Sequence, residues 1–367
     1  MGQVNPERMF DVDFQEATDC ICAYGPDITI LLEGHMGIGK SAQLEEVGRR
    51  FPTYKKYYFD CTTKMDAGDV MIPKLKDIDG NDFVRFATNE ELGIHLQKTP
   101  SVLMIDEYGK GNKSLTNSMN RLCYERKLGA YTMHKDSIVF LTTNLGAENV
   151  GDTLAPQQLN RMTVMRVRKP SHTDWIDWGL KKGLNHVVLG CVRENPHWLQ
   201  PFDEVDNPSD NPYIYHPREQ RRHFVTGRSL EKASIIFGRK DAITTRALTC
   251  MLNGTIGVAA TNTLMTFSRL TEQLPTMDSI KNDPMNAKVP DDAAGVCLVI
   301  YRTLQTIERD WVDAWMTYVE RLGKEAQGMF GKTVCHKDYG RRKQVVNTKS
   351  FMTWARANNY MYEEDQS

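Results

Sequence analysis

At 367 residues the chain exceeds one typical hydrophobic core and implies two or three domains. Its 46 basic residues stand against 47 acidic ones, so it lacks the basic excess of a dedicated nucleic-acid binder; nucleic acid is not expected as a partner, although charge alone does not exclude it. No run of about eighteen apolar residues could cross a membrane, and eight scattered cysteines without a C-x-x-C pair fit a reduced, cytoplasmic setting rather than a disulfide or zinc framework. The stretch from Met1 to Arg8 lacks the charged-then-apolar order of a secretory signal, and Pro6 stands where a myristoylation site at Gly2 wants Ser or Thr.

The first strong element is the apolar, β-branched run Asp27 to Leu32, which predicts a buried parallel strand. Directly after it, Gly34-His35-Met36-Gly37-Ile38-Gly39-Lys40-Ser41 fits the phosphate-loop pattern G-x-x-x-x-G-K-[ST] at every fixed position. Glycines let successive N–H groups turn inward toward phosphate oxygens, and the following helix adds its positive N-terminus. Lys40 is placed to reach the β- and γ-phosphates, and the Ser41 hydroxyl to hold Mg²⁺. Residues 42–50 supply that helix, with apolar residues at helical spacing and cations at its end. A chance match occurs in roughly one chain in a hundred of this length. Strand, loop and helix in this order set the match apart from a chance Gly-rich turn.

Further strands are predicted at Tyr57–Asp60, Val102–Ile105, Ile138–Thr142 and Thr163–Arg168, alternating with helices as in a parallel α/β sheet. The third of the five ends in two carboxylates. Asp106 suits Mg²⁺, directly or through water, and Glu107 suits the polarising of an attacking water. The fourth runs into Asn144, which either holds that water or the γ-phosphate, or caps a loop before Gly146. Residues 127–133 carry hairpin turn signals. After Pro170 the chain reads as helical, with Ser171 as a cap, a long polar excursion from Asn195 to Phe224, and a Pro/Asp/Asn-rich stretch from Leu274 to Pro290. A helical pattern covers Gly295 to Met329, where Trp311 and Trp315 read as packing residues; a basic stretch from Lys332 to Lys349 and a short amphipathic helix near Ser350–Asn358 follow.

Together these motifs resemble AAA+ ATPases of the MoxR/CbbQ type over about Ile28 to Ala233, with wording around Leu122–Gly129 and Asn144–Asp152 similar to phage-encoded and CbbQ-like members. The resemblance implies a P-loop AAA+ core with a parallel sheet flanked by helices in residues 1–170, an α-helical lid in 171–275, and a C-terminal helical extension in 276–367. It assigns sensor 1 to Asn144 within Leu141-Thr142-Thr143-Asn144. It assigns a trans-acting arginine finger to Arg161 within the stretch Leu154 to Met162, and sensor 2 to Arg228 within Thr226-Gly227-Arg228-Ser229-Leu230-Glu231. It further implies ATP hydrolysis with Mg²⁺, a homo-oligomeric ring (a hexamer by family likeness), and a protein substrate or adaptor that often carries a von Willebrand factor A domain.

Departures from the family pattern are His35-Met36 in the loop, Gly227 where Pro is common, and Tyr108-Gly109-Lys110 where Asn-Arg is common after the acidic pair. Arg85, Arg121 and Arg126 stay unassigned, and a solvent-exposed Arg126 is expected. Two other readings stand beside the remodelling ATPase: a DNA-directed ATPase motor of helicase, packaging or restriction type, and a nucleotide-dependent switch without turnover. The intact Asp106-Glu107 pair argues against the switch.

Overall fold

The computed structural model describes residues 11–146, 154–219, 221–271 and 274–358. The N-terminal stretch Met1 to Arg8 and most of Asn144–Asp152 lie outside them. The chain forms two compact units, residues 1–170 and 171–367.

The first unit is built on five parallel strands: β1 (Ile30–Gly34), β2 (Lys55–Asp60), β5 (Ser101–Asp106), β8 (Ile138–Asn144) and β9 (Thr163–Val167), in the spatial order β2-β5-β8-β1-β9. These are the five strands expected from sequence, shifted at their ends by up to three residues. Every residue of β5 and β8 is buried, as a central strand covered on both faces requires.

Alternation divides the apolar side chains between two cores. Leu31, Leu103, Ile105, Val139 and Leu141 face one side, where α3 (Lys113–Glu125) adds Leu115, Met119 and Leu122. Ile30, Leu32, Val102, Met104, Ile138 and Phe140 face the other, against Ala17 and Ile21 of α1 (Phe14–Tyr24) and Leu44 and Val47 of α2 (Gln43–Arg50). Gln43 is fully buried and ties α2 to α1, accepting from Thr18 (2.7 Å) and donating to the Phe14 carbonyl (2.9 Å). A short helix α4 (Pro156–Leu159) precedes β9.

Two hairpins leave this sheet. The one expected at residues 127–133 pairs β6 (Lys127–Leu128) with β7 (Tyr131–Thr132). The other pairs β3 (Met71–Ile78) with β4 (Asn81–Thr88), and no sequence expectation covered it. Its two-residue turn, Asp79-Gly80, has positive φ at both positions (54° and 78°), the geometry a tight hairpin needs.

The second unit is helical among its described residues: α5 (His172–Lys182), α6 (His186–Glu194), α7 (Gly227–Gly238), α8 (Thr245–Ile256), α9 (Val258–Thr271), α10 (Met277–Asn282), α11 (Ala293–Thr306), α12 (Val312–Val319), α13 (Lys324–Cys335), α14 (Arg342–Val346) and α15 (Lys349–Ala357). Ser171 caps α5 through a reciprocal pair with Asp174. One apolar core runs from Trp175 to Trp354, so residues on both sides of position 275 contribute to it. The polar excursion between α6 and α7 is held by Arg221, which donates to the carbonyls of Pro208, Asn211 and Ile214.

The helical pattern read across Gly295–Met329 is three helices rather than one. It breaks where Ile307 and Glu308 adopt extended backbone, and again at Gly323. Arg341 donates to the Ile307 carbonyl (3.1 Å), which satisfies the backbone at the first break.

Trp315 is fully buried against Tyr318 and Phe330, with ring centroids 5.6 and 5.4 Å away, in the packing role read from its spacing. Trp315→Ala is expected to destabilise the chain by about 3–5 kcal/mol in urea unfolding. A loss below about 1 kcal/mol would contradict this packing.

Candidate functional site

Parallel register brings the C-terminal ends of three strands to one edge. Gly34 lies opposite Asn144, and Asp106 ends the strand on the other side of β8. From β1 the chain crosses to the edge strand β2, and from β8 it crosses back over β1 to β9. The β1/β8 boundary is therefore a switch point of the kind where open α/β sheets bind ligands.

The Gly34–Ser41 loop sits at this point. Gly39 has φ of 99°, a conformation that side chains oppose, so the turn into the following helix depends on glycine. A Cβ at Gly34 would lie 3.0 Å from the Val167 carbonyl oxygen, so glycine there lets β1 leave tightly beside β9. His35 is buried, and Ile38 packs on the α1/α2 core.

Lys40 is buried and turns back along the loop. Its Nζ donates to the carbonyls of Gly34 (2.6 Å) and His35 (2.9 Å) and to Asn144 Oδ1 (2.8 Å). The Asn144 Nδ2 in turn donates to both oxygens of Glu107, at 3.2 and 3.1 Å. An ammonium only donates and a carboxylate only accepts, so these two neighbours fix which way the Asn144 amide faces.

Glu107 occupies a left-handed backbone conformation (φ 53°, ψ 39°), a strained state for a non-glycine residue. Lys110 pairs with its Oε2 at 3.1 Å. The lysine in the family-divergent Tyr108-Gly109-Lys110 segment thus reaches the same carboxylate as Asn144.

Asp106 is buried with four donors. Thr142 Oγ1 and the Glu107 N–H (3.1 Å) serve Oδ1, while Ser41 Oγ (3.0 Å) and Tyr58 Oη (2.7 Å) serve Oδ2. Burial and the adjacent Asp106 carboxylate push the Tyr58 phenol well above its ordinary pKa, so it stays a donor. Neither Thr142 nor Tyr58 was assigned a role from sequence. Both lie one or two strand positions from a motif residue in the chain or across the sheet, a relation that only the register reveals.

The donor set fits a metal-bearing polyanion. Loop N–H groups and Lys40 suit phosphate oxygens, and the touching Ser41 hydroxyl and Asp106 carboxylate form an all-oxygen pair suited to Mg²⁺.

Two arginines assigned by the resemblance remain. Arg161 is exposed on the turn between α4 and β9. Arg228 belongs to the second unit, exposed in the first turn of α7. Arg126 differs from expectation: it turns inward, donating to Thr29 Oγ1 and to the carbonyls of Cys123 (2.7 Å) and Gly25 (2.9 Å). It closes the C-terminus of α3 in a left-handed conformation, and its desolvated guanidinium ties that helix to the entry of β1. Arg121 pairs with Glu125 at 2.8 Å, and Arg85 lies over the Tyr131 ring at 5.8 Å.

Thr142→Val keeps shape but removes a donor from a buried carboxylate, and is expected to cost about 1.5–3 kcal/mol in urea unfolding. Tyr58→Phe, at a partly exposed position, should cost less. Equal or reversed costs would contradict the bonding described for Asp106.

No family model and no curated protein matches the chain. Among solved structures it is similar to a Thermotoga maritima RuvB mutant, with 11% identity and a TM-score of 0.34 over 77% of each chain. It is also similar to NtrX from Brucella abortus, with 13% identity and a TM-score of 0.34 over 70% of this chain and 68% of that one. A third is the Thermotoga maritima RuvB Holliday junction branch migration motor, with 12% identity and a TM-score of 0.33 over 74% and 76%. Likeness of this degree carries no argument about activity or partners.

Proposed function

We propose that the chain is a P-loop ATPase of the AAA+ class and MoxR/CbbQ type, which hydrolyses ATP with Mg²⁺ and works as a ring that remodels or activates a protein partner. The observation that carries this reading is the continuous chain Lys40–Asn144–Glu107, set beside the Ser41–Asp106 contact at the switch point of the sheet.

Each residue then has a task. The loop N–H groups and Lys40 hold the β- and γ-phosphates, exchanging Lys40's carbonyl partners for phosphate oxygens. Ser41 and Asp106 hold Mg²⁺, which when bound neutralises charge on those oxygens. Glu107 receives the proton of the attacking water at Oε1, the oxygen that Lys110 leaves to Asn144 alone. Asn144 keeps that carboxylate in register with the lysine that marks the γ-phosphate.

The exposed turn that bears Arg161 suits a guanidinium offered to a neighbouring subunit, where a finger is worth ~10³–10⁵ in rate. Arg228 takes the sensor 2 role by the motif that surrounds it. The ring, its hexameric count and a partner with a von Willebrand factor A domain follow from the family resemblance. Near-zero net charge favours a protein partner over DNA.

Lys40→Ala and Arg161→Ala subunits test the shared site. Each alone is expected to lose turnover, with Lys40→Ala losing ATP binding in calorimetry and Arg161→Ala keeping it. Mixing the two should restore part of the turnover at interfaces that pair an intact loop with an intact finger. Unchanged ATP affinity in Lys40→Ala would overturn the phosphate-loop reading, and absence of recovery on mixing would overturn action in trans.

A further inference from the structure

The second unit contains a cavity of about 360 Å³ where the start of α6, the end of α7 and α11 meet. That volume lies at the lower end of small-molecule sites, roughly 300–1,000 Å³. Its lining is cationic: Lys240 follows α7, and Arg302 projects from α11. Arg302 is half-buried and makes no side-chain hydrogen bond or ion pair among the described residues. Lys240 lies over the Phe237 ring at 5.6 Å, again without a carboxylate partner. Asp241, exposed at the rim, is the single acidic side chain of the lining, so the cavity carries an excess of positive charge.

His186 opens α6 between these cations. Desolvation, with the charges of Arg302 and Lys240 added, lowers its imidazole to about 4, against an opposing hydrogen bond to Gln305 that favours the protonated ring. It is therefore neutral at physiological pH and serves as a polar group without adding a third charge. The α6 N-terminus contributes its dipole to the same place, with the Val187 N–H already capped by Asn185. Phe237 and Val187 supply an apolar wall.

Two unpaired cations of different geometry, a fork and a point charge, at a helix N-terminus beside an aromatic ring form a receptor for an oxygen-rich anion attached to a small carbon skeleton. We propose that this cavity binds a small organic phosphate, with its phosphoryl oxygens on Arg302 and Lys240 and its skeleton against Phe237. This site is independent of the phosphate loop and of the ATPase reading.

The test uses the full chain carrying Lys40→Ala, so that the loop does not compete, and follows the His186 ring resonance by NMR at neutral pH. His186→Gln assigns the resonance, and chloride at matched ionic strength is the control. Titration with inorganic phosphate is expected to give a saturable shift, and glycerol 3-phosphate to bind at least several-fold more tightly. Arg302→Met and Lys240→Met should each weaken binding about tenfold or more, whereas Arg302→Lys retains part of it and Asp241→Asn strengthens it. The proposal is overturned by a shift that never saturates, by the same affinity in Arg302→Met and Lys240→Met, or by equal affinities for inorganic phosphate and glycerol 3-phosphate.

Discussion

The site depends on one amide. Asn144 stands between a buried ammonium that can only donate and a carboxylate that can only accept, and it satisfies both at once. Without it, Lys40 and Glu107 would lack a common orienting partner. Burial raises the stakes, because a polar group in this environment loses its water and must find its partners within the fold. The chain Lys40–Asn144–Glu107 thus spans the loop, the tip of β8 and the tip of β5, and it converts three separate sequence motifs into one piece of chemistry.

The sheet makes that bridge possible. Parallel pairing of β1, β8 and β5 brings Gly34, Asn144 and Asp106 to one edge, and a slip of one residue would turn Asn144 toward the opposite face. Register is enforced by the two apolar cores, since alternate residues of each strand belong to α3 on one side and to α1 and α2 on the other. The strain stored at Glu107 belongs to the same arrangement: the left-handed backbone ends β5 abruptly and turns the carboxylate toward Asn144 and Lys110. Asp106, one residue earlier, is fixed by four donors: Tyr58 of β2, Thr142 of β8, Ser41 of the loop and the Glu107 N–H.

What the sequence discloses follows from burial. Central strands covered on both faces need continuous apolar runs, so Val102–Ile105 and Ile138–Thr142 are legible, as is the phosphate loop, whose glycines answer a backbone demand. The hairpin of β3 and β4 is not legible in the same way, because Ile72, Leu75, Phe83 and Val84 are exposed and no core imposes a pattern. Its one signal was the Asp79-Gly80 pair, which suits a two-residue turn. The breaks in the pattern from Gly295 to Met329 are not legible either, because Ile307, Trp311 and Leu322 are buried on both sides of them and keep the apolar spacing. Tyr58, Thr142 and the inward-turned Arg126 depend on contacts distant in sequence, which no local spacing encodes.

On the proposed function, Glu107, oriented by Asn144, takes the proton in ATP hydrolysis while the loop binds nucleotide without it. Phosphate release and ATP affinity measured side by side on the wild-type chain and on Glu107→Gln test this directly. The variant is expected to keep its ATP affinity within a few-fold and to lose turnover by about 10²-fold or more. Near-normal turnover in Glu107→Gln would contradict it.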